Sequence, residues 1–199
     1  MDPFISSLLA YNEKYDADLL ERAYLKAELL HKEQKRKSGE PYIIHPKAVA
    51  VILAELGVDS NTIAAGLLHD VVEDTHYTLD DCTKDFGAEI AMLVDGVTKL
   101  TSLEFESKEE RQAENIRKMF LAMSRDIRIL VIKLADRLHN MRTIQYQSPA
   151  KQIEKSRETL DIYAPLAARL GIYAFKFEME DISFRTIYPD EWADLDRQM

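Results

Sequence analysis

The sequence predicts an all-α fold, a compact bundle of eight or more helices, and three observations carry that prediction. Apolar residues recur at the helical period through most of the 199 residues. Helix-start signals are frequent, among them Asp2-Pro3, Asp59 or Ser60, the pairs Thr78 with Asp81 and Ser107 with Glu110, and Ser148-Pro149. No turn dipeptide of the hairpin type lies between alternating runs, and the sequence carries no internal repeat or low-complexity tract.

Taken in order, Asp2 caps a short helix that fades near Asn12, and Leu20, Ala23, Tyr24, Ala27, Leu30 and His31 hold one face of a second helix. Lys32, Lys35, Arg36 and Lys37 follow at its C-terminus, where cations suit the helix dipole, and Ser38-Gly39-Glu40-Pro41 is turn chemistry. Tyr42 to Ile44 reads as extended, with His45 just ahead of Pro46, a first-turn proline for a helix from Lys47 to Leu56 that Gly57 ends. Asp59 or Ser60 then caps one continuous helix through Asp74, Thr75 to Thr78 turn the chain, and Leu79 to Phe86 form a helix stopped by Gly87. Ala88 to Lys99 reads as a helix interrupted at Asp95-Gly96, and Ser107 to about Met123 as another. Asp126 caps a helix whose first half is apolar and whose second half is polar, from Ile127 to Thr143. A helix from Ser148 to Leu170 is kinked or divided at Pro165, and the remainder restarts at Pro189.

Charge and composition exclude several classes of function. Lys and Arg number 26 against 35 Asp and Glu, a net charge of −9. Such a surface repels nucleic acid, so no direct nucleic-acid binding is expected, and an anionic substrate must be caught by a local basic cluster or a metal. The single cysteine, Cys82, cannot close an internal disulfide, and the N-terminus lacks a basic region followed by a long apolar core. A reducing, cytoplasmic setting is expected. The most apolar internal run, Ile127 to Ala135, is broken by Arg128 and Lys133 and is too short to span a bilayer.

The chain is organised around Gly66 to Asp74, G-L-L-H-D-V-V-E-D, where ionisable groups are embedded in an apolar segment. Buried charge must be paired or bound. On a helix His69 shares a face with Glu73 and Asp70 with Asp74, the composition of a metal site with an acid/base pair beside it. A solvated helix end is the plainer alternative. Asp136, Asn140 and Thr143 fall on one polar line of their helix, with His139 about 100° off it. His31, His76 and His139 therefore read as structural. His45, His69, Asp70 and Asp136 together offer two neutral imidazoles and two carboxylates, which neutralise a divalent ion and leave positions for water and substrate.

The order H, HD, D within an all-helical chain resembles the HD phosphohydrolase superfamily. The flanking words are more specific: R-K-S-G-E-P-Y-I-I-H-P, L-L-H-D-V-V-E-D, K-L-A-D-R-L-H-N-M-R-T, D-G-V-T-K-L and A-P-L-A-A-R-L-G-I. Over about residues 20 to 190 they closely resemble the N-terminal hydrolase domain of long RelA/SpoT homologues, which control the alarmone (p)ppGpp. The resemblance implies a bundle of the HD phosphohydrolase type over residues 1–150. Residues 151–199 would form a helical connecting segment that packs on it and leads, in a longer parent, to an intramolecular synthetase domain.

The resemblance also implies roles residue by residue. His45, His69, Asp70 and Asp136 match ligands of Mn2+, and Glu73 and Asp74 match the catalytic acidic pair. Arg36, Lys37 and Ser38 match the loop that packs on guanine, while Asn140 and Thr143 match polar nucleotide contacts. The implied reaction is hydrolysis of the 3′-pyrophosphate of guanosine tetra- or pentaphosphate by a metal-activated water, giving GDP or GTP and pyrophosphate. No alarmone synthesis is expected from this chain, because the synthetase's substrate-binding sequence is absent from it. Two positions depart from the family's usual pattern, Glu33 and Lys35, which stand where a Gly and an aromatic are usual. Two other readings are a generic HD nucleotidase and a regulatory module that binds alarmone without turnover.

Overall fold

A computed structural model describes residues 2–101 and 125–197, so the helix expected from Ser107 to Met123 lies outside the described residues. Among the described residues the secondary structure is helical, apart from one isolated antiparallel bridge between Lys35 and Pro41. The helices are α1 (Pro3–Leu9), α2 (Ala17–Leu30), α3 (Ile44–Glu55), α4 (Ser60–Leu68), α5 (Val71–Asp74), α6 (Leu79–Phe86), α7 (Ala88–Thr101), α8 (Ile127–Arg142), α9 (Pro149–Glu158), α10 (Ala164–Arg169), α11 (Tyr173–Ile187) and α12 (Pro189–Asp196). Short side chains start them as the sequence indicates. Asp2 Oδ1 accepts from Phe4 N–H at 2.7 Å, Asp59 Oδ1 from Thr62 N–H at 3.0 Å, Asp126 Oδ1 from Arg128 N–H at 2.9 Å, and Thr78 with Asp81 closes a reciprocal capping box. No described helix is long and apolar enough to cross a membrane.

The chain divides into two compact units, one up to Lys133 and one from Leu134. The division falls inside α8. The polar second half of that helix is bound to the connecting helices: Arg142 forms a two-pronged ion pair with Glu178 at 2.6 and 2.8 Å, and Thr159 Oγ1 lies 3.3 Å from Met141 Sδ. In the first unit α4 is the central element. Every residue from Thr62 to Leu68 is buried, and the helix packs on α2, α3 and α7. Gly66 lets α3 come close, since a Cβ there would stand 2.4 Å from Leu53 Cδ1.

Three local expectations are corrected. Tyr42 and Ile43 are not extended, and α3 begins at Ile44, placing His45 inside the first turn. The missing N–H of Pro46 costs nothing there, because the Tyr42 carbonyl it would have sought accepts from His45 N–H at 2.9 Å. The helix through Asp74 is broken at His69-Asp70 into α4 and α5. Asp95-Gly96 does not interrupt α7; Gly96 instead clears room for Ile129, whose Cδ1 would be 2.4 Å from a Cβ. The helix expected from Ser148 to Leu170 is divided ahead of Pro165, as the sequence allows, by a π turn, Thr159–Tyr163, in which Ala164 N–H reaches back five residues to the Thr159 carbonyl.

Candidate metal centre and its surroundings

The break between α4 and α5 makes the site. A continuing helix would offer the Gly66 carbonyl to the N–H of Asp70; here that oxygen accepts from His69 Nδ1 at 2.7 Å. A carbonyl can only accept, so Nδ1 carries a proton, and in the neutral form of the ring Nε2 presents its lone pair. Asp70 takes φ −95° and ψ −11°, the bridge region between helix and turn. The short α5 restarts with the Asp74 N–H bonded to the Asp70 carbonyl at 2.9 Å.

His45 Nε2 lies 3.7 Å and His69 Nε2 lies 3.1 Å from Asp70 Oδ2. Both imidazoles are buried, at 2% and 1% exposure, while the Asp70 side chain keeps 19%. Donor atoms of the three residues all lie within 4.8 Å of one another. Two ligands held at about 2.1 Å and at right angles on one ion stand about 3 Å apart, so these spacings fit a shared divalent cation. The chemistry fits as well. A carboxylate oxygen and an imidazole lone pair face each other only when a proton or a cation lies between them. A protonated His69 would satisfy that pair alone, but the approach of His45 to the same oxygen favours a cation common to all three.

Sequence reasoning missed Tyr42. Its hydroxyl lies 2.7 Å from Asp70 Oδ2 and 3.1 Å from Asp74 Oδ2, donating its one proton between them. Burial and then the negative charge of Asp70 push the phenol's pKa far upward, so it remains a donor. The ring stacks on buried His31 at 4.6 Å and meets His45 edge-on at 6.1 Å. His31 is held by a 2.7 Å bond between Nδ1 and Gln34 Oε1, and the Gln34 amide donates to the Asp74 carbonyl at 2.9 Å. His31 is therefore structural in position, though it backs the tyrosine that ties two site carboxylates together. Glu73 and Asp74 are exposed at the end of α5, and His76 just beyond is exposed too.

The basic loop is a built turn. Arg36 N–H donates to the Glu40 carbonyl and Gly39 N–H to the Arg36 carbonyl, each at 2.9 Å, and Gly39 takes φ +88°, which an L side chain would strain. Arg36, Lys37 and Ser38 are thereby fixed on a tight tip, where the Ser38 hydroxyl donates to Glu40 Oε2 at 2.9 Å. The departures at Glu33 and Lys35 leave this framework in place, since the Lys35 backbone bridges Pro41 and Tyr42 N–H reaches the Gln34 carbonyl at 3.0 Å. In the second unit Asp136 is 6% exposed, and its Oδ1 accepts from Asn140 Nδ2 at 2.6 Å, one turn along α8. Asn140 thus orients that carboxylate, and Thr143 Oγ1 lies 3.1 Å from the His139 carbonyl.

Known proteins are similar to this chain in sequence and fold. A family model described as HD domain matches residues 23–173. The chain is 53% identical over 200 residues to a GTP pyrophosphokinase of Streptomyces coelicolor, spanning 99% of this chain and 23% of the relative. It is 58% identical over 174 residues to a probable guanosine-3′,5′-bis(diphosphate) 3′-pyrophosphohydrolase of Synechocystis, spanning 87% of this chain and 23% of the relative. It is 54% identical over 173 residues to the bifunctional (p)ppGpp synthase/hydrolase SpoT of Escherichia coli, spanning 87% and 25%. Among solved structures it resembles a metazoan orthologue of SpoT that hydrolyses ppGpp, with a TM-score of 0.68 and 29% identity over 86% of this chain and 97% of that one. The chain spans about a quarter of the length of the curated relatives it matches. With most of its length inside the family model, the chain belongs to the HD domain family and, within it, to the RelA/SpoT homologues.

Proposed function

We propose that this chain hydrolyses the 3′-pyrophosphate of guanosine tetra- and pentaphosphate, giving GDP or GTP and pyrophosphate, with Mn2+ as its metal ion. The observation that carries the reading is the convergence of His45, His69 and Asp70 within 4.8 Å, with the Tyr42 hydroxyl tying Asp70 to the acidic Asp74. The names of the relatives supply the substrate. His45, His69 and Asp70 hold the ion, and Asp136 is its second carboxylate ligand on the strength of the matched K-L-A-D-R-L-H-N-M-R-T motif. Bound there, a divalent ion acidifies water and neutralises phosphate oxygens.

The chain's own groups do the rest. Glu73 and Asp74, exposed beside the donors, take the proton of the water that attacks the phosphorus next to the ribose and return one to the ribose 3′-oxygen as the bond between that oxygen and phosphorus breaks, the water's oxygen leaving with the pyrophosphate. Tyr42 fixes the Asp74 carboxylate relative to Asp70, so base and ligand keep a constant spacing. Arg36, Lys37 and Ser38 bind the guanosine end, Arg36 by stacking its guanidinium on the base, and Asn140 and Thr143 contribute polar contacts. A cytoplasmic setting suits a chain whose one cysteine is buried and free.

The deciding experiment is incubation of the purified protein with ppGpp and Mn2+, with product analysis. Pyrophosphate released in step with GDP is expected. Orthophosphate released from 5′-nucleotides would instead make the chain a general nucleotidase, and ppGpp binding without turnover on the Mn2+-loaded protein would make it a binding module.

A further inference from the structure

Arg137 follows Asp136 in α8 and is buried, and its guanidinium is held on two sides by the connecting segment. Nη2 donates to Glu158 Oε2 at 3.0 Å, and the guanidinium carbon lies 3.9 Å over the ring of Tyr163. Glu158 ends α9, immediately before the π turn, and is shared with Lys155 Nζ at 3.0 Å; Tyr163 ends the π turn. The π turn is what gives both residues access to one guanidinium. It adds one residue to the helical repeat, and without that residue everything beyond it would be rotated by about 100°, taking Tyr163 off the arginine. Pro165 explains why the turn widens here: in a regular α-helix its ring would press on the carbonyl of Asp161. The Thr159 hydroxyl, inside the π turn, lies 2.7 Å from the Lys155 carbonyl and 3.3 Å from Met141 Sδ, one turn along α8 from Arg137.

An arginine buried in this way is a costly means of packing two helices, since an aliphatic residue would fill the space without desolvating a charge. What the arginine adds is direction. A planar guanidinium fixed by a carboxylate and a ring leaves α8 little freedom to rotate about its axis. We propose that Arg137 is a positioning residue for the metal centre, acting through Asp136: Glu158 and Tyr163 set the rotation of α8, and Asn140 sets the carboxylate from the other side. The inference rests on the reading of Asp136 as a ligand.

The test replaces Arg137 and Glu158 together by Met and Leu, an exchange that ordinarily preserves or raises stability when a buried ion pair is removed whole. Thermal unfolding is followed without metal, and Mn2+ binding by titration calorimetry. A metal-free melting point near that of the unaltered protein with Mn2+ bound about 10- to 100-fold more weakly is expected, the usual cost of losing an outer support of a ligand. Unaltered Mn2+ affinity in the folded double variant overturns the proposal. Tyr163→Leu keeps the ion pair and removes the ring; it should also weaken Mn2+ binding, and it decides alone if the double variant does not fold. Asp136→Ala, titrated in parallel, separates the two ideas. If it binds Mn2+ normally, the ligand reading fails and the positioning role falls with it; if it loses Mn2+ while the Arg137 and Tyr163 variants keep it, only the positioning role falls.

Discussion

His69 and Asp70 are neighbours in the chain, and the helix break at their junction brings Nε2 of the one to 3.1 Å from Oδ2 of the other. Because Nδ1 of His69 is committed to the Gly66 carbonyl, the lone pair of Nε2 meets a carboxylate oxygen, an arrangement that a shared cation stabilises. Removing Asp70 takes away both that oxygen and the partner of the Tyr42 hydroxyl. Asp70→Ala should therefore abolish stoichiometric Mn2+ binding together with hydrolysis. In the unaltered protein, Mn2+ at a hundred times its dissociation constant should add about 2.7 kcal/mol of stability, several degrees in melting temperature. The variant should show no such rise, and a variant that retains one Mn2+ per chain would refute the ligand assignment.

Tyr42 supports two different prediction outcomes depending on what its hydroxyl does. If it orients carboxylates, Tyr42→Phe keeps the ring stacked on His31, keeps the metal donors and loses one hydrogen bond to a charged group. Such a bond is worth about 1.5 to 3 kcal/mol. Turnover should fall by about one to two orders of magnitude with Mn2+ stoichiometry unchanged. Unchanged turnover would make the tyrosine a packing residue.

The difference between Tyr42 and the metal donors shows what the sequence makes legible. A metal site needs particular residue types at element boundaries, and His45 in the first turn of α3 and His69-Asp70 at the α4 end stand out as ionisable groups inside apolar words. Tyr42 in P-Y-I-I-H-P reads as packing, and its role depends on the Lys35–Pro41 bridge and the Gln34–Tyr42 backbone bond that fold the loop back. Its place three residues before His45 was the one available signal. The break at His69 was equally hidden, because the local sequence favours helix throughout and the bond from the His69 side chain to the Gly66 carbonyl that accompanies the break has no signature in it. Pro165 was visible as a disturbance, but whether a helix answers it with a kink or a π turn depends on what Tyr163 and Glu158 meet.

A third prediction concerns acid stability in the first unit. Arg128 donates to Asp126 at 2.7 to 3.1 Å and to Glu89 at 2.6 Å, and lies 3.6 Å from Asp59. Its hydrogen bonds hold the Asp126 carboxyl below the usual range despite partial burial. For Asp59, burial alone would raise the pKa, but hydrogen bonds from Thr62 and the charge of Arg128 lower it. A carboxyl depressed in the folded state contributes stability at pH values above its unfolded value of about 3.9, and loses it as pH falls through the folded value. Arg128→Met should cost about 1 to 2 kcal/mol at pH 7, between exposed and buried pairs. The gap from the unaltered protein should narrow below about pH 4 as the carboxyls protonate. Denaturant unfolding at pH 7 and pH 3 measures it, and a pH-independent gap would show that Arg128 acts by packing.

The acidic pair of α5 separates chemistry from binding. Asp74 is linked to Asp70 twice, by a backbone bond of 2.9 Å and through the Tyr42 hydroxyl, whereas Glu73 is exposed on the same short helix. Neither is needed to account for the cluster of His45, His69 and Asp70. An ion can acidify water, but it cannot by itself take the proton from the attacking water or deliver one to the departing ribose 3′-oxygen. Positioned carboxylates do that, and such proton transfer is typically worth about 10²- to 10⁴-fold in rate. Glu73→Gln and Asp74→Asn keep the size of each side chain and remove its basicity. Each should retain Mn2+ and turn over ppGpp at least about a hundredfold more slowly. Each should also bind ppGpp at least as tightly as the unaltered protein, since one negative charge facing the phosphates is gone. Asp74→Asn should in addition leave the Tyr42 hydroxyl donating to Asp70 alone, so its metal affinity should be no weaker. Metal content, equilibrium binding of ppGpp and single-turnover rates on the same preparations distinguish the outcomes. Loss of metal from either variant makes that carboxylate a ligand, and normal turnover by both makes the pair a solvated helix end.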